Sequence, residues 1–352
     1  MKKYLCLTLV AALILSVLCL AGCGENKTDV TEESFTEGLK FGVGSFSSMT
    51  AADAEDEEFV GEAGLTTTVA AVLLGEDGKI LNLKLDSIEN AVNFTVKGQV
   101  KEPMAVMSKY EKGFDYMMSV YGIYQDKNGD GKVLEWFQQA DAFCEIAKGK
   151  TLEELKAFVA ENGYTSGDLE TAGCTINSYD FIKAVEKAVN GAQPTTAGKD
   201  DALKIGFASS YTGKDATAEA NGEIENAFTF SVVTLSSDGK VTDAYIDIAS
   251  STVEFDVKGV ALTPRTEIST KKELGDNYNM AAYGTDANGD GVVLEWYKQA
   301  EVLENACIGK TADEISALVV NGYQGTEDVQ KAGCTIAVGD MVGATVKAST
   351  IA

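Results

Sequence analysis

The chain has 352 residues, 45% of them apolar, which suits two domains of ordinary size, each able to bury a core. Lys and Arg total 29 against 54 Asp and Glu, a formal charge of −25, so the surface repels nucleic acid and suits cations or simple solubility. There is no histidine, which excludes a His-based triad and a His metal site.

Lys2 and Lys3 precede an apolar run from Leu5 to Leu20, the layout of a secretory signal and short for a membrane span. The run closes on Leu20-Ala21-Gly22-Cys23, which resembles the lipobox of bacterial lipoproteins. That resemblance implies cleavage before Cys23 and a diacylglyceryl group on it; the alternative is an ordinary export signal with an incidental Cys. Two acyl chains, at roughly 0.8 kcal/mol per buried methylene, make a stable anchor. The expected location is the extracytoplasmic face of the cell membrane, with the lipid as the membrane contact and no nucleic-acid partner. Residues 1–22 are then the signal, and 23–38 the lipidated Cys with a polar, acidic tether.

The rest is a duplication. Asp126-Lys-Asn-Gly-Asp-Gly-Lys-Val-Leu-Glu-Trp136 recurs as Asp286-Ala-Asn-Gly-Asp-Gly-Val-Val-Leu-Glu-Trp296, an offset of 160 (296 − 136), and these are the chain's two Trp. Ala-Gly-Cys-Thr-Ile recurs at Cys174 and Cys334 with the same offset (334 − 174 = 160). Repeat 1 is read as 39–190, a Pro/Gly/Thr linker as 191–201, and repeat 2 as 202–352.

Each repeat opens on a Gly-dotted strand, Leu39–Gly44 and Leu203–Ala208. The β-rich runs 66–74 and 228–235 lead into Asp77-Gly78-Lys79 and Asp238-Gly239-Lys240, which read as hairpin turns because Asp-Gly supplies positive φ. In the return strand Leu81, Leu83 and Leu85 alternate with polar residues. A further strand alternates Val92, Phe94 and Val96, matched by Val253, Phe255 and Val257. The alternation predicts a sheet with one wet face. Helices follow, running through Trp136 and Trp296 and then from the capping boxes at Thr151 and Thr311. A last pair covers 179–189 and 340–348. The fold class is therefore α+β: two tandem homologous domains, each an antiparallel meander sheet followed by helices.

Asp126, Asn128, Asp130 and Gly131 occupy positions 1, 3, 5 and 6 of an EF-hand-like loop, as do Asp286, Asn288, Asp290 and Gly291. Position 12, normally a bidentate acid, is Phe137 or Tyr297, so Glu135 and Glu295 are the residues that would close a shortened Ca²⁺ loop. The competing reading is an acidic surface turn. Among the cysteines, Cys144 and Cys307 are offset by three residues between repeats, one helical turn on the same face. A shared partner would pair Cys144 with Cys174 and Cys307 with Cys334, each loop of about 30 residues contributing roughly 3–4 kcal/mol. Four buried free thiols are the alternative.

Gly173-Cys-Thr-Ile-Asn-Ser178, followed by Phe181-Ile-Lys-Ala-Val-Glu-Lys-Ala188, resembles the end of FMN-binding domains, as does the strand–Asp-Gly-Lys–strand hairpin. That family ends in Ser-Gly-Ala-Thr-x-Thr/Ser-Ser and a helix rich in Ala and Val, and it includes lipid-anchored flavoproteins with tandem domains. In flavinylated members the motif Thr carries FMN, so the resemblance implies Gly173, Thr175 and Ser178, with Gly333 and Thr335, as the cofactor segment. The sequence departs where the motif Ser is Ala172 or Ala332, the motif Ala is Cys174 or Cys334, and the downstream hydroxyl is Val338 in repeat 2. Repeat 1 is thus the expected better FMN site. Two functions follow: a flavin or redox carrier with a redox partner, or a non-enzymatic surface lipoprotein binding calcium or another ligand. A hydrolase finds no support, there being neither His nor a Gly-x-Ser-x-Gly elbow.

Overall fold

The structure is a computed structural model describing residues 36–103, 106–121, 133–284, 286, 289 and 291–351. Repeat 1 contains β1 (Lys40–Ala52), β2 (Gly61–Leu74) and β3 (Ile80–Phe94), an antiparallel meander. Helices α1 (Lys109–Lys112), α2 (Met118–Tyr121), α3 (Trp136–Ala147), α4 (Leu152–Lys156), α5 (Gly167–Thr171) and α6 (Tyr179–Gly191) follow. After the short β4 (Gln193–Pro194), repeat 2 builds the same meander from β5 (Ala202–Lys214), β6 (Gly222–Leu235) and β7 (Val241–Phe255). The short β8 (Thr266–Ile268) and helices α7 (Lys271–Leu274), α8 (Trp296–Cys307), α9 (Ala312–Ser316), α10 (Glu327–Lys331) and α11 (Gly339–Thr350) complete it. The α+β class and the meander-then-helices order are as the sequence indicates.

Three local expectations change. The two strands read on either side of residue 88 are one 15-residue strand, β3, and likewise β7. Leu81 is not on the core face: Leu74 pairs with Ile80 and Leu73 with Asn82, so Leu81 is the extra residue of a bulge and is 40% exposed. The opening strands correspond with Lys40 opposite Leu74 and Ala202 opposite Leu235, which superimposes Gly44 on Gly206 and shifts the sequence match by two residues. Both glycines serve a close approach. A Cβ on Gly44 would lie 2.3 Å from the Ala184 carbonyl oxygen, and one on Gly206 2.3 Å from that of Ala344.

The face expected to be wet is buried. On β2, Ala70, Val72 and Leu74 face the helices of their own repeat, while Leu65, Val69, Ala71 and Leu73 pack against Phe228, Phe230 and Val232 of β6. A run that is apolar at successive positions belongs to a strand covered on both sides. The result is four layers, helices–sheet–sheet–helices, and Phe35–Ala352 forms one compact unit in which the repeats share their central cores. Contacts between repeats are reciprocal. Ala54 N donates to Gly259 O and Ala216 N to Gly98 O, each at 2.7 Å, and Phe94 stacks on Phe255 with centroids 4.2 Å apart. β8 of repeat 2 adds to the edge of β1.

Candidate functional site

The Gly-Cys-Thr-Ile segment follows α5 in repeat 1 and α10 in repeat 2, and it lies against the first long helix of its repeat. Gly173 (φ 97°) and Gly333 (φ 111°) have left-handed backbones; a Cβ would lie 2.6 Å from Leu134 Cδ1 or 2.9 Å from Leu294 Cδ1. The next turn is fixed by a glutamine. Gln139 Oε1 accepts from Thr175 N (2.8 Å), Ile176 N (3.1 Å) and the Thr175 hydroxyl (3.2 Å), and its Nε2 donates to Leu134 O (3.0 Å). Gln299 repeats this with Thr335 N (2.8 Å), Ile336 N (3.2 Å), the Thr335 hydroxyl (3.1 Å) and Leu294 O (2.8 Å). Both glutamines are buried. Sequence reasoning missed them, although Gln-Ala recurs at the same place in both helices.

The two threonines then differ. In repeat 2 Thr335 is half-buried and lines a cleft of about 540 Å³, within the roughly 300–1,000 Å³ of small-molecule sites. Trp296, Ile248, Ile336 and Met280 give it apolar walls; Thr229 and Ser250 supply hydroxyls. Lys271 enters the cleft with its amino group 5.4 Å from the Trp296 ring centroid and 5.0 Å from that of Tyr278. No carboxylate pairs with Lys271 among the described residues. Glu225, Asp340 and Tyr323 form the exposed rim.

In repeat 1 Thr175 is 5% exposed. Where repeat 2 has Ala208 and Gly339, repeat 1 has Phe46 and Tyr179, whose rings meet edge-on with centroids 5.6 Å apart. Where repeat 2 has Ser250, repeat 1 has Glu89, whose carboxylate pairs at 2.9 Å with Lys109, the counterpart of Lys271. Ser178 is buried too, its hydroxyl donating to Ile176 O at 3.3 Å and lying 3.6 Å from Cys174 Sγ. The accessible threonine is therefore in repeat 2, the reverse of the expected order. A second cleft, about 600 Å³, runs between the repeats, but its cations are already matched: Lys187 pairs with Glu273 at 2.7 Å and Lys183 with Glu186 at 3.9 Å.

The expected Cys144–Cys174 and Cys307–Cys334 disulfides are not formed; all four are buried free thiols. Burial pushes Cys144, Cys307 and Cys334 up to about 12 and Cys174 up to about 11, so the thiolate is suppressed. The one-turn offset has another cause. Glu304 stands in repeat 2 where Cys144 stands in repeat 1, and it pairs at 2.6 Å with the largely buried Lys272 and accepts from Ile246 N. Cys307 fills the core one turn on, as Ala147 does in repeat 1.

Glu135 and Glu295 each accept from two backbone N–H groups upstream in the chain. Glu135 accepts from Met118 N (2.8 Å) and Ser119 N (3.1 Å), and Glu295 from Met280 N (2.9 Å) and Ala281 N (3.2 Å). Both carboxylates cap the preceding short helix or turn. Asp286 accepts from Gly289 N and Gly291 N, each at 2.7 Å, which organises its own turn. Asp126, Asn128, Asp130, Asn288, Asp290 and Cys23 lie outside the described residues. Among the described residues no group of three or more His, Cys, Asp or Glu could hold a metal. Comparison with protein-family models, with curated proteins and with solved structures finds no match to this chain.

Proposed function

We propose that this is a lipid-anchored extracytoplasmic binding protein that carries FMN in its second repeat and is not itself an enzyme. The observation supporting this reading is the open, Trp-floored cleft at Thr335, the position that the family resemblance marks for the cofactor. Trp296 and the apolar walls suit a flat ring system, Lys271 suits a phosphate or another anionic group, and the hydroxyls of Thr229, Ser250 and Thr335 suit a polyol chain. The reactive electrons would belong to the flavin; the chain's part is to hold it and exclude water. FMN fluorescence should be quenched on titration with the mature chain. Thr335→Ala should weaken binding or abolish a covalent adduct seen by intact mass after exposure to a flavin transferase, while Thr175→Ala changes neither. An adduct that depends on Thr175 instead, or no interaction with FMN at millimolar concentration, overturns the reading. The anchor is tested separately: Cys23→Ser should release the protein from the membrane fraction.

A further inference from the structure

The two repeats fold alike, so the side chains that differ at one place isolate what that place is for. Two differences fall together at the threonine cleft. Thr335 is half-buried and lines it, whereas Thr175 is 5% exposed. Glu89 neutralises Lys109 where Ser250 leaves Lys271 without a carboxylate partner among the described residues. All the supporting parts are kept: the glutamine clamp, the positive-φ glycine and a Trp on the first long helix.

We infer that the chain carries one ligand site, in repeat 2, for a flat aromatic anion, and that the same place in repeat 1 is closed over Thr175 and neutralised by Glu89. The inference rests on the reading of the Thr335 cleft as the binding site and adds its stoichiometry and its selector. An intramolecular carboxylate competes with an added anion at very high effective concentration, so Lys109 stays paired with Glu89 at ordinary ligand concentrations. Lys271 sets the charge preference. Its ammonium sits among aromatic rings, where a partner anion is screened less than at the surface, whereas Glu225 and Asp340 at the rim face water and salt.

The test uses the mature chain with three probes: FMN, the aromatic anion 1-anilinonaphthalene-8-sulfonate, and the uncharged N-phenyl-1-naphthylamine. Circular dichroism melts are run on every variant so that only folded ones are compared. Wild type should bind the sulfonate with a stoichiometry of one. Ser250→Glu, which copies the neutralising carboxylate, should weaken FMN and the sulfonate about tenfold and leave the uncharged probe within about twofold. Two sites in wild type, or equal losses for charged and uncharged probes under Ser250→Glu, overturns the inference. Sulfonate binding that follows this pattern while FMN does not bind removes the flavin reading alone. Binding of none of the three overturns both.

Discussion

At the scale of single residues, Gln299 is the side chain on which the cleft depends without being part of it. One carbonyl oxygen meets two backbone N–H groups and a hydroxyl of the Thr335 turn, and the amide nitrogen returns a bond to Leu294 O. Gln299→Ala would leave the two N–H groups without an acceptor. Each buried donor so stranded costs about 1–3 kcal/mol, giving an expected loss of about 2–5 kcal/mol in urea denaturation. Ligand binding should fall with it as the turn loosens. A loss below about 1 kcal/mol would show that water replaces the glutamine. The threonine was legible because its motif is written in the local sequence. The glutamine was not, because a Gln on an amphipathic helix looks the same whether it faces water or clamps a turn 36 residues away (335 − 299). Other pairs hide in the same way. Lys84 on β3 lies over the Tyr110 ring at 3.3 Å, and in repeat 2 the partners change places, Lys272 lying over Tyr245 at 3.9 Å. Neither position looks duplicated in sequence, yet the contact is.

At the scale of elements, the short helices α1 and α7 are held to their sheets by two buried aspartates. Asp86 accepts from the Ser108 hydroxyl (2.6 Å), Tyr110 N (3.0 Å) and Ser87 N (2.7 Å); Asp247 accepts from Lys272 N (3.0 Å) and Ile248 N (2.7 Å). Ser108 and Thr270 are themselves the N-caps of capping boxes closed by Glu111 and Glu273. A helix of four residues has almost no stability of its own, so such anchors decide whether it forms. Burial pushes Asp86 up to about 7 and Asp247 up to about 6, outweighing those hydrogen bonds. An unfolded aspartate titrates near about 4, so the folded chain binds more protons between that value and about 7. The stability linked to these two groups is therefore full below about pH 4 and is lost as pH rises through about 6 to 7. Asp86→Asn can keep the geometry, its oxygen accepting from the two N–H groups and its amide donating to Ser108, and it should flatten the part of the pH–stability curve that runs up to about 7. An unchanged curve would mean that Asp86 stays ionised throughout. The Thr151 and Thr311 boxes, the Asp-Gly hairpins and the last helix of each repeat were readable locally. The bulge at Leu81 and the continuity of β3 were not, since a bulge is a property of the paired strand and alternation on one strand carries no trace of it.

At the scale of the whole molecule, the repeats are related much as the subunits of a symmetric dimer are, with several contacts made twice. Asp53 Oδ1 accepts from Ala261 N and Asp215 Oδ1 from Val100 N, both at 2.8 Å; Lys187 pairs with Glu273 at 2.7 Å and Lys347 with Glu111 at 2.9 Å. The ion pairs are partly exposed and contribute about 0–1 kcal/mol each, so they set the register more than they hold it. The holding is done by the shared apolar layer around Phe41, Leu65, Ile88, Phe228 and the stacked Phe94 and Phe255. The sequence showed the duplication but left the repeats as separate domains, because polar residues on the inner face, such as Asn226 bonding to Ala63 O at 2.8 Å and Ser47 to Thr67 at 3.0 Å, look solvated until the partner sheet is present. This packing predicts how the halves behave apart. Phe94→Ala in the full chain should cost about 3–5 kcal/mol and leave a single unfolding transition, since its ring serves both repeats. Residues 36–198 or 199–352 alone would each expose that layer and should give no cooperative monomer. Each should aggregate or pair with itself through the same face, and mixing the two from denaturant should restore a 1:1 complex with the spectrum of the intact chain. Light scattering and thermal melts decide the matter: a monomeric half that melts cooperatively near the temperature of the whole would mean that each repeat closes its own core and that the shared layer is only a contact between finished domains.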